Sequence, residues 1–455
     1  MPKATIVRGA TVVQSGTEVP ADILVEGGVI AAIGKDLSIA GASRMDASGC
    51  LVLPGVIDAH VQFGIQYRDT LATDDFERGS LAAAAGGVTT FIDFAVPAKG
   101  APPLDALLAR LALAEGKVST DFTLHQAITD SHPRFLEQIP EIIHRGIKSF
   151  KIYMTYSNRG RLITPGELEA IMLRVAPLGG IVEVHAEDDS IVVRRTNDLL
   201  NAGKTSVRYF PSSRPPLAEI VAVQNAITVA ESTGCPLYVH HCTTARSVEL
   251  IQEAKRRGAA VYGETCPPYL IFDDTVYDQA DGHLYIVNPS IKSSADRQRL
   301  WSGIQEGAID VIGTDHCGYT LAQKTRATDN FDATPAGFPG VETLLPFMYT
   351  KGVGENRITL GRMVQLLSEN PARIFGLSPR KGTIAIGSDA DLVVFDPTVE
   401  WTVRPQDLHM SPDYHPFTGM NLRGRVRHTF VRGHHVYADG EFVETRKGEF
   451  LKSAR

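Results

Sequence analysis

The residues that could carry out chemistry follow short apolar runs in the middle of the chain. Four such runs end in side chains that can bind a metal: Asp58-Ala59-His60-Val61-Gln62, His185-Ala186-Glu187, His240-His241 and Thr314-Asp315-His316. A fifth run, Phe150–Met154, contains Lys151. Imidazole and carboxylate groups that converge from several strand ends suit Zn²⁺ or a similar borderline cation. The joint pattern therefore predicts a metal site.

Each of these residues, taken alone, also has a structural interpretation. A histidine at a strand end is often hydrogen-bonded without a catalytic role, Asp315 could cap a helix, and Lys151 could extend its amine to solvent. Strand alternation turns one of His240 and His241 inward and the other outward, and the sequence leaves open which. The recurrence at several strand ends favours one shared metal site over separate structural roles.

Lys151 has a further chemical possibility. Burial among Phe150, Ile152 and Met154 would disfavour its ammonium form and lower its pKa. A neutral amine can react with carbon dioxide to give a carbamate, an anionic group able to bridge two metal ions. The residues alone thus allow a carbamate on Lys151.

The apolar runs that must position these residues alternate with segments of helical spacing. The runs are Leu51–Ile57, Val88–Phe94, Phe122–Ala127, Phe150–Met154, Ile181–Val184, Leu237–Val239, Ala259–Tyr262 and Val311–Gly313. Eight strands with intervening helices predict a (β/α)₈ barrel with its active site at the carboxyl ends of the strands. An open doubly wound sheet is the alternative, but it would place a glycine fingerprint where Asp58-Ala59-His60 stands.

The two ends of the chain are β-rich and differ from the middle. Strand candidates at the ends are Ala4–Val13, Asp22–Gly34, Asp391–Phe395, Arg425–Val431, His434–Tyr437 and Glu441–Val443. Gly27-Gly28 and Asp439-Gly440 indicate hairpin turns. Because chain termini often lie close together, these strands can pair into one module. The polar segment Thr320–Thr334, without clear periodicity, is the best candidate for a mobile loop.

Composition excludes several classes of protein. The chain has 455 residues, 43% hydrophobic and 21% charged, with 45 Lys and Arg against 52 Asp and Glu. This is globular composition without the basic excess of a nucleic-acid binder or the long apolar run of a membrane span. The five cysteines lack CxxC spacing, and no signal peptide is recognisable, so we expect reduced thiols and a cytoplasmic location.

Several segments, in this order and spacing, resemble one enzyme family over nearly the whole chain. They are Pro54–His60, Ala85–Thr90, Phe150–Met154, Val184–Glu187, Gly263–Pro267, Gly313–Cys317, Asn370–Ala372, Lys381–Asp391, Asp413–Phe417 and Gly419-Met420. The family is that of the cyclic amidohydrolases, and the segments are most similar to its hydantoinase/dihydropyrimidinase branch.

The resemblance implies an architecture and a metal centre. It implies a distorted TIM barrel over residues 54–375, and a small β-sandwich from residues 1–53 and 376–455. It implies two divalent metals, usually zinc, that share a carbamate on Lys151. One metal would take His60 and Asp315, and the other His185 and the sixth-strand histidine, which aligns best with His241. Similar enzymes are commonly homotetramers.

The resemblance also implies roles in hydrolysis of a hydantoin, a dihydropyrimidine or a related imide ring. A metal-bound hydroxide would attack the ring carbonyl, giving an N-carbamoyl amino acid or a half-amide. Asp315 would take the proton and pass it to the leaving nitrogen, and Tyr156 would stabilise the developing oxyanion. Phe63, Tyr156, Asn288 and Ala336 are the predicted substrate contacts.

Gln62 departs from the family pattern, which usually has a histidine at this position. A glutamine oxygen is a poorer zinc ligand than imidazole. The sequence therefore predicts one weakly bound metal and one firmly bound metal, the firm one on Lys151, His185 and His241. One or two zinc ions per subunit are expected.

The residues after the first motif narrow the substrate. Dihydroorotases place an arginine just beyond this motif to hold a carboxylate, but here Phe63-Gly64 follows and Arg68 is several residues away. An apolar wall at Phe63 would suit a neutral ring.

Three alternatives to this functional prediction remain. They are an allantoinase-type hydrolase, a non-catalytic hydantoinase-like scaffold, which would lack several metal ligands, and a deaminase, which would lack the carbamate-type lysine.

Overall fold

The middle of the chain forms a closed barrel of parallel strands. The computed structural model describes residues 4–14, 16–67 and 69–454. The eight barrel strands are Val56–Asp58, Val88–Ala95, Asp121–Ala127, Ser149–Tyr153, Ile181–His185, Leu237–Val239, Val261–Thr265 and Val311–Ile312. A parallel bridge between Val61 and His316 joins the segment after the first strand to the segment after the last. The predicted barrel is confirmed, and its strand ends converge on one face.

The first predicted strand divides into two. Leu51–Pro54 pairs antiparallel with Leu392–Phe395, whereas Val56–Asp58 opens the barrel. Gly55 separates them: its N–H donates to the carbonyl of Asp391, and a Cβ there would lie 2.0 Å from Thr89 Oγ1. Only glycine fits so close an approach, so this residue marks the passage from the terminal sheet to the barrel.

Helices cover the outside of the barrel and fill the connections. The α-helices are Phe76–Ala85, Pro103–Ala114, Pro133–Leu136, Ile139–His144, Pro165–Val175, Asp189–Asn201, Phe210–Ser213, Pro216–Thr233, Ala245–Arg256, Pro267–Ile271, Ser294–Glu306, Leu321–Thr325, Leu344–Met348, Leu360–Val364 and Asn370–Ile374. Side-chain caps fix several starts, as where Asp188 accepts from the N–H of Ile191. Among the described residues, no helix is long and apolar enough to cross a membrane.

The chain termini form a second, mostly antiparallel sheet. Its nine strands are Thr5–Gln14, Thr17–Glu26, Val29–Gly34, Ser43–Asp46, Leu51–Pro54, Leu392–Thr402, Asn421–Val431, His434–Ala438 and Glu441–Phe442. The predicted hairpins at Gly27-Gly28 and Asp439-Gly440 are confirmed. The sheet has an apolar core of its own, in which Ile23, Ile30 and Phe430 are buried. The predicted pairing of the two termini is therefore confirmed.

A buried ion network joins this sheet to the barrel. The Lys381 ammonium lies 2.6 Å from Asp121, 2.9 Å from Asp389 and 2.6 Å from Asp391, and its side chain is 1% exposed. Asp121 starts the third barrel strand and also pairs with Arg432 of the terminal sheet. Burial lowers the pKa of Lys381, but the three carboxylates outweigh burial and raise it. The ammonium therefore stays charged and holds the two parts together.

Replacing Lys381 should loosen the junction between the sheet and the barrel. Lys381→Met leaves three buried carboxylates without their cation, which should lower the free energy of unfolding by about 3–5 kcal/mol. Arg380→Gln is the matched control, because Arg380 contacts the same Asp389 from a half-exposed position and should contribute less than about 1 kcal/mol. Denaturant unfolding followed by circular dichroism measures both, and equal losses would contradict this account of the junction.

Candidate active site

The predicted site residues converge on one cavity at the carboxyl ends of the barrel strands. The cavity has a volume of about 70 Å³. The predicted residues that line it are His60, Gln62, Lys151, Tyr156, His185, His241, Asn288, Asp315 and Ala336. They come from separate strands and loops, so the barrel is what brings them together.

Phe63 is the exception, and its predicted contact with the substrate is wrong. Its ring is fully buried, 5.0 Å from the Phe91 ring and 5.4 Å from the His316 ring, and it does not line the cavity. The ring packs so closely against Gly79 that a Cβ there would lie 2.4 Å from it. Its backbone N–H is fixed by the carboxylate of Asp93 at 2.8 Å. Phe63 therefore does not form the apolar cavity wall that was predicted for it, and Arg68 lies outside the described residues.

Of the two adjacent histidines, His241 faces the cavity and His240 faces the barrel interior. His241 has φ +35°, which breaks the strand alternation, and its ring lies 4.5 Å from that of His185. His240 instead contacts Glu183 and Glu264, each at 3.1 Å. The structure thus distinguishes two residues that the sequence pattern left equivalent.

His60 lies between two carboxylates. Its Nε2 is 3.0 Å from Asp315 Oδ1, and its Nδ1 is 2.8 Å from Glu264 Oε1. The amide nitrogen of Gln62 donates to the same oxygen of Asp315. Burial lowers the pKa of His60, but Asp315 and Glu264 outweigh burial and raise it to about 10. These buried carboxylates therefore require a positive charge beside them, which a proton on His60 supplies and a bound metal ion would supply in its place.

The neighbouring donors show the opposite behaviour. Burial lowers the pKa of His185 to about 4 and that of His241 well below its usual value, so both imidazoles are neutral at pH 7. Burial also lowers the pKa of Lys151 to about 8, although Glu183, Glu264 and Asp315 act in the other direction. Neutral imidazole is the form that binds metals, and the lysine has a reactive neutral fraction.

At the cavity, Asn288 Oδ1 and two nitrogen atoms that could bind a metal are buried without a hydrogen-bond partner among the described residues. The two nitrogens are Lys151 Nζ and His241 Nδ1. Leaving such a group unsatisfied in a protein interior costs free energy, so a native site normally supplies a partner. A divalent cation, with the lysine amine converted into an anionic ligand, would satisfy both atoms. The donor set therefore fits a metal centre.

Carboxylates behind the cavity were missed by the sequence analysis. Glu183 lies 2.8 Å from His125 and 3.1 Å from His240, and Glu264 accepts from the Tyr238 hydroxyl at 2.8 Å as well as contacting His60. Glu264 contacts the proposed ligand His60, and a carboxylate in this position orients a metal-binding histidine. The signal was available, because Glu183 and Glu264 are charged residues within apolar strands, as is Lys151.

The segment Thr320–Thr334, predicted as a mobile loop, contains the helix Leu321–Thr325 with a side-chain cap from Thr320. The fully buried Lys324 donates to the carbonyl oxygens of Ile286 at 2.9 Å and Pro335 at 2.8 Å. Each carbonyl lies within two residues of a cavity residue, Asn288 or Ala336. The segment thus fixes one wall of the site, which its polar composition did not reveal.

The fold and the site together define a class. A parallel barrel whose strand ends direct imidazoles, a carboxylate and a buried lysine into one cavity is a metal-dependent hydrolase. The family model for the amidohydrolase family matches residues 51–436.

Named relatives and solved structures give a finer result. The D-hydantoinase of Geobacillus stearothermophilus is 36% identical over 99% of this chain and 96% of the relative. The D-phenylhydantoinase of Escherichia coli K12 is 34% identical over 98% of this chain and 97% of its own. The crystal structure of dihydropyrimidinase from Brevibacillus agri superposes with a TM-score of 0.97 at 34% identity, covering 99% of both chains.

The chain belongs to the amidohydrolase family, within its hydantoinase/dihydropyrimidinase branch. The comparisons confirm the predicted family and the predicted class of activity, metal-dependent hydrolysis of a C–N bond in a cyclic amide.

Glu264 should control metal affinity through His60. Glu264→Gln removes the charge that orients the His60 ring, so metal affinity should fall about 10- to 100-fold. Tyr238→Phe is the control, since it removes the donor to the other carboxylate oxygen and leaves the contact with His60 in place. Competition with a fluorescent chelator measures both variants, and an equal loss in the two would show that Glu264 does not act through His60.

Proposed function

We propose that this protein opens a cyclic amide ring with two divalent metal ions, zinc in the first instance, that share a carbamate on Lys151. His60 and Asp315 would hold one metal, and His185 and His241 the other. The observation that carries the proposal is the buried Lys151 amine, which lacks a hydrogen-bond partner among the described residues and lies among metal-ligand types. The substrate would be a hydantoin, a dihydropyrimidine or a related imide, and the product an N-carbamoyl amino acid or a half-amide.

Asp315 is the proposed proton carrier. When bound, the metals lower the pKa of a water molecule and polarise the scissile carbonyl. Burial raises the pKa of Asp315, but His60 and Gln62 outweigh burial and lower it, so at neutral pH the carboxylate is ionised, which is the form of a proton acceptor. The same carboxylate faces the cavity and can return that proton to the leaving nitrogen.

Tyr156 is the proposed oxyanion donor. The tyrosine is 8% exposed, has φ +71°, and its ring lies 5.1 Å from that of His185. These features argue against a solvent-exposed loop position and support a fixed orientation toward the cavity. Asn288 and Ala336 also line the cavity, where their backbones can contact the ring.

Gln62 makes the two metal positions unequal in this proposal. Its amide nitrogen donates to Asp315, whereas a histidine would offer a lone pair to the metal. The metal on His60 and Asp315 would therefore be held weakly, and the metal on Lys151, His185 and His241 firmly.

The alternatives receive less support. A scaffold protein of this branch would lack several metal ligands. Here six candidate ligands line one cavity, and all of them except Gln62 are residue types that the family uses to bind metal. A deaminase would not need the buried Lys151. The scaffold and deaminase hypotheses are therefore not favoured.

The remaining assignments rest on resemblance and composition. We place the catalytic barrel at residues 54–375 and the terminal module at residues 1–53 and 376–455, and we propose a cytoplasmic homotetramer. The five cysteines are buried and unpaired, in keeping with a reducing compartment.

Gln62→His should complete the weaker metal position. An imidazole in place of the amide should raise the metal content after zinc and bicarbonate treatment from one firmly held ion per subunit toward two, and raise kcat/KM for hydantoin. Elemental mass spectrometry after gel filtration gives the metal content. Gln66→His is the control, because it adds an imidazole at another position that lines the cavity and should leave the metal content unchanged. If Gln62→His changes neither metal content nor activity, Gln62 is not the cause of a difference in affinity between the two metal positions.

A further inference from the structure

The cavity has a cationic side formed by the loop that follows the fourth barrel strand. Arg159 and Arg161 both line the cavity and are half-buried. Lys99 packs on the same loop, since a Cβ at Gly160 would lie 2.5 Å from Lys99 Cδ. Among the described residues that line the cavity, Asp315 is the one carboxylate, and it already contacts His60 and Gln62. The loop therefore gives this side of the cavity two guanidinium groups.

A tyrosine ring lies next to each arginine and also next to one of the proposed metal ligands. The Arg161 guanidinium lies 5.4 Å from the centroid of the Tyr153 ring, whose centroid is in turn 5.6 Å from Lys151 Nζ. Arg159 lies 4.6 Å from the centroid of the Tyr156 ring in the same manner. A small ring bound at the metals would thus direct a substituent of a few atoms toward these guanidinium groups.

Arg161 has no ion pair with any residue that the structure describes. Its side chain contacts the face of Tyr153, and its backbone N–H donates to the carbonyl of Tyr156. A half-buried guanidinium normally pairs with a carboxylate or phosphate, because its planar donors match such groups in a bidentate arrangement. A ligand that carries an anionic group would supply this missing partner.

The loop is held in place before any ligand binds. Ser157 N–H donates to Asp189 Oδ1 at 3.0 Å, and Leu162 forms a parallel bridge with Tyr153. The positive φ values of Tyr156 and Gly160, +71° and +64°, turn the loop tightly between these anchors. Preorganised donors lose little freedom when they bind, so they can contribute to selectivity.

We propose that the preferred substrate is a cyclic amide whose exocyclic substituent ends in a carboxylate, and that Arg161, assisted by Arg159, selects this group. The reacting ring remains a neutral amide, and the negative charge lies at the end of a short chain. This inference rests on the proposed function, because it assigns the substrate of the same site. An uncharged or apolar substituent would leave the Arg161 guanidinium partly desolvated without a partner, which disfavours its binding.

The test compares three hydantoins of similar size that differ at the end of the substituent. They are 5-(2-carboxyethyl)hydantoin, its uncharged amide 5-(2-carbamoylethyl)hydantoin, and 5-propylhydantoin. The zinc-loaded protein should show a kcat/KM for the carboxylate at least about tenfold above that for the amide, mainly through KM. The preference should shrink as salt rises, because the guanidinium is partly exposed.

Variants identify the residue responsible. Arg161→Gln should bring the ratio of kcat/KM for the carboxylate to kcat/KM for the amide to about one. Arg161→Lys should keep part of the preference, since an ammonium retains the positive charge but lacks the two parallel N–H donors of a guanidinium. Arg134→Gln is the matched control: Arg134 also stacks on an aromatic ring, at 4.5 Å from Phe135, but does not line the cavity. It should keep the full preference.

Two measurements separate this inference from the proposed function. Isothermal titration of the chelator-treated, metal-free protein with the carboxylate and amide ligands reports selectivity without turnover. Equal affinities for the two ligands, or a preference that survives both Arg161→Gln and Arg159→Gln, would overturn the inference even if hydrolysis occurs. Selective binding without hydrolysis of any ring would instead overturn the proposed function and leave the anion selectivity in place.

Discussion

The burial of the Lys151 amine is the constraint on which the rest of the site depends. An ammonium in an apolar strand is disfavoured by desolvation, yet Glu183, Glu264 and Asp315 surround it with negative charge. This balance lowers the pKa of the amine to about 8, and the amine has no hydrogen-bond partner among the described residues. Such a group is poorly suited to a purely structural role and well suited to conversion into a metal ligand.

The barrel meets this constraint by bringing distant residues to the same place. The bridge between Val61 and His316 sets the first strand end against the last, so that His60 and Gln62 both reach Asp315. The terminal sheet supports this arrangement, because its backbone continues through Gly55 directly into the first barrel strand. Function at the strand ends therefore depends on the packing of both parts of the chain.

Much of the fold and the site could be predicted from local pattern. Apolar runs located the barrel strands, and metal-binding side chains just after them located the cavity. The errors arose where side-chain direction depends on tertiary structure. Phe63 follows a strand whose pairing shifts register, and packing against Phe91 and Gly79 turns its ring into the core. The choice between His240 and His241 required the positive φ of His241, which alternation alone does not anticipate.

The measurement that tests the central claim most directly is incorporation of ¹³C-labelled bicarbonate into the zinc-loaded protein, followed by carbon NMR after removal of free label. We predict one carbamate signal per subunit that is retained with the metal and absent from Lys151→Arg. A protein that binds zinc and hydrolyses a cyclic amide without any retained label would contradict the assignment of Lys151 as a carbamylated metal ligand.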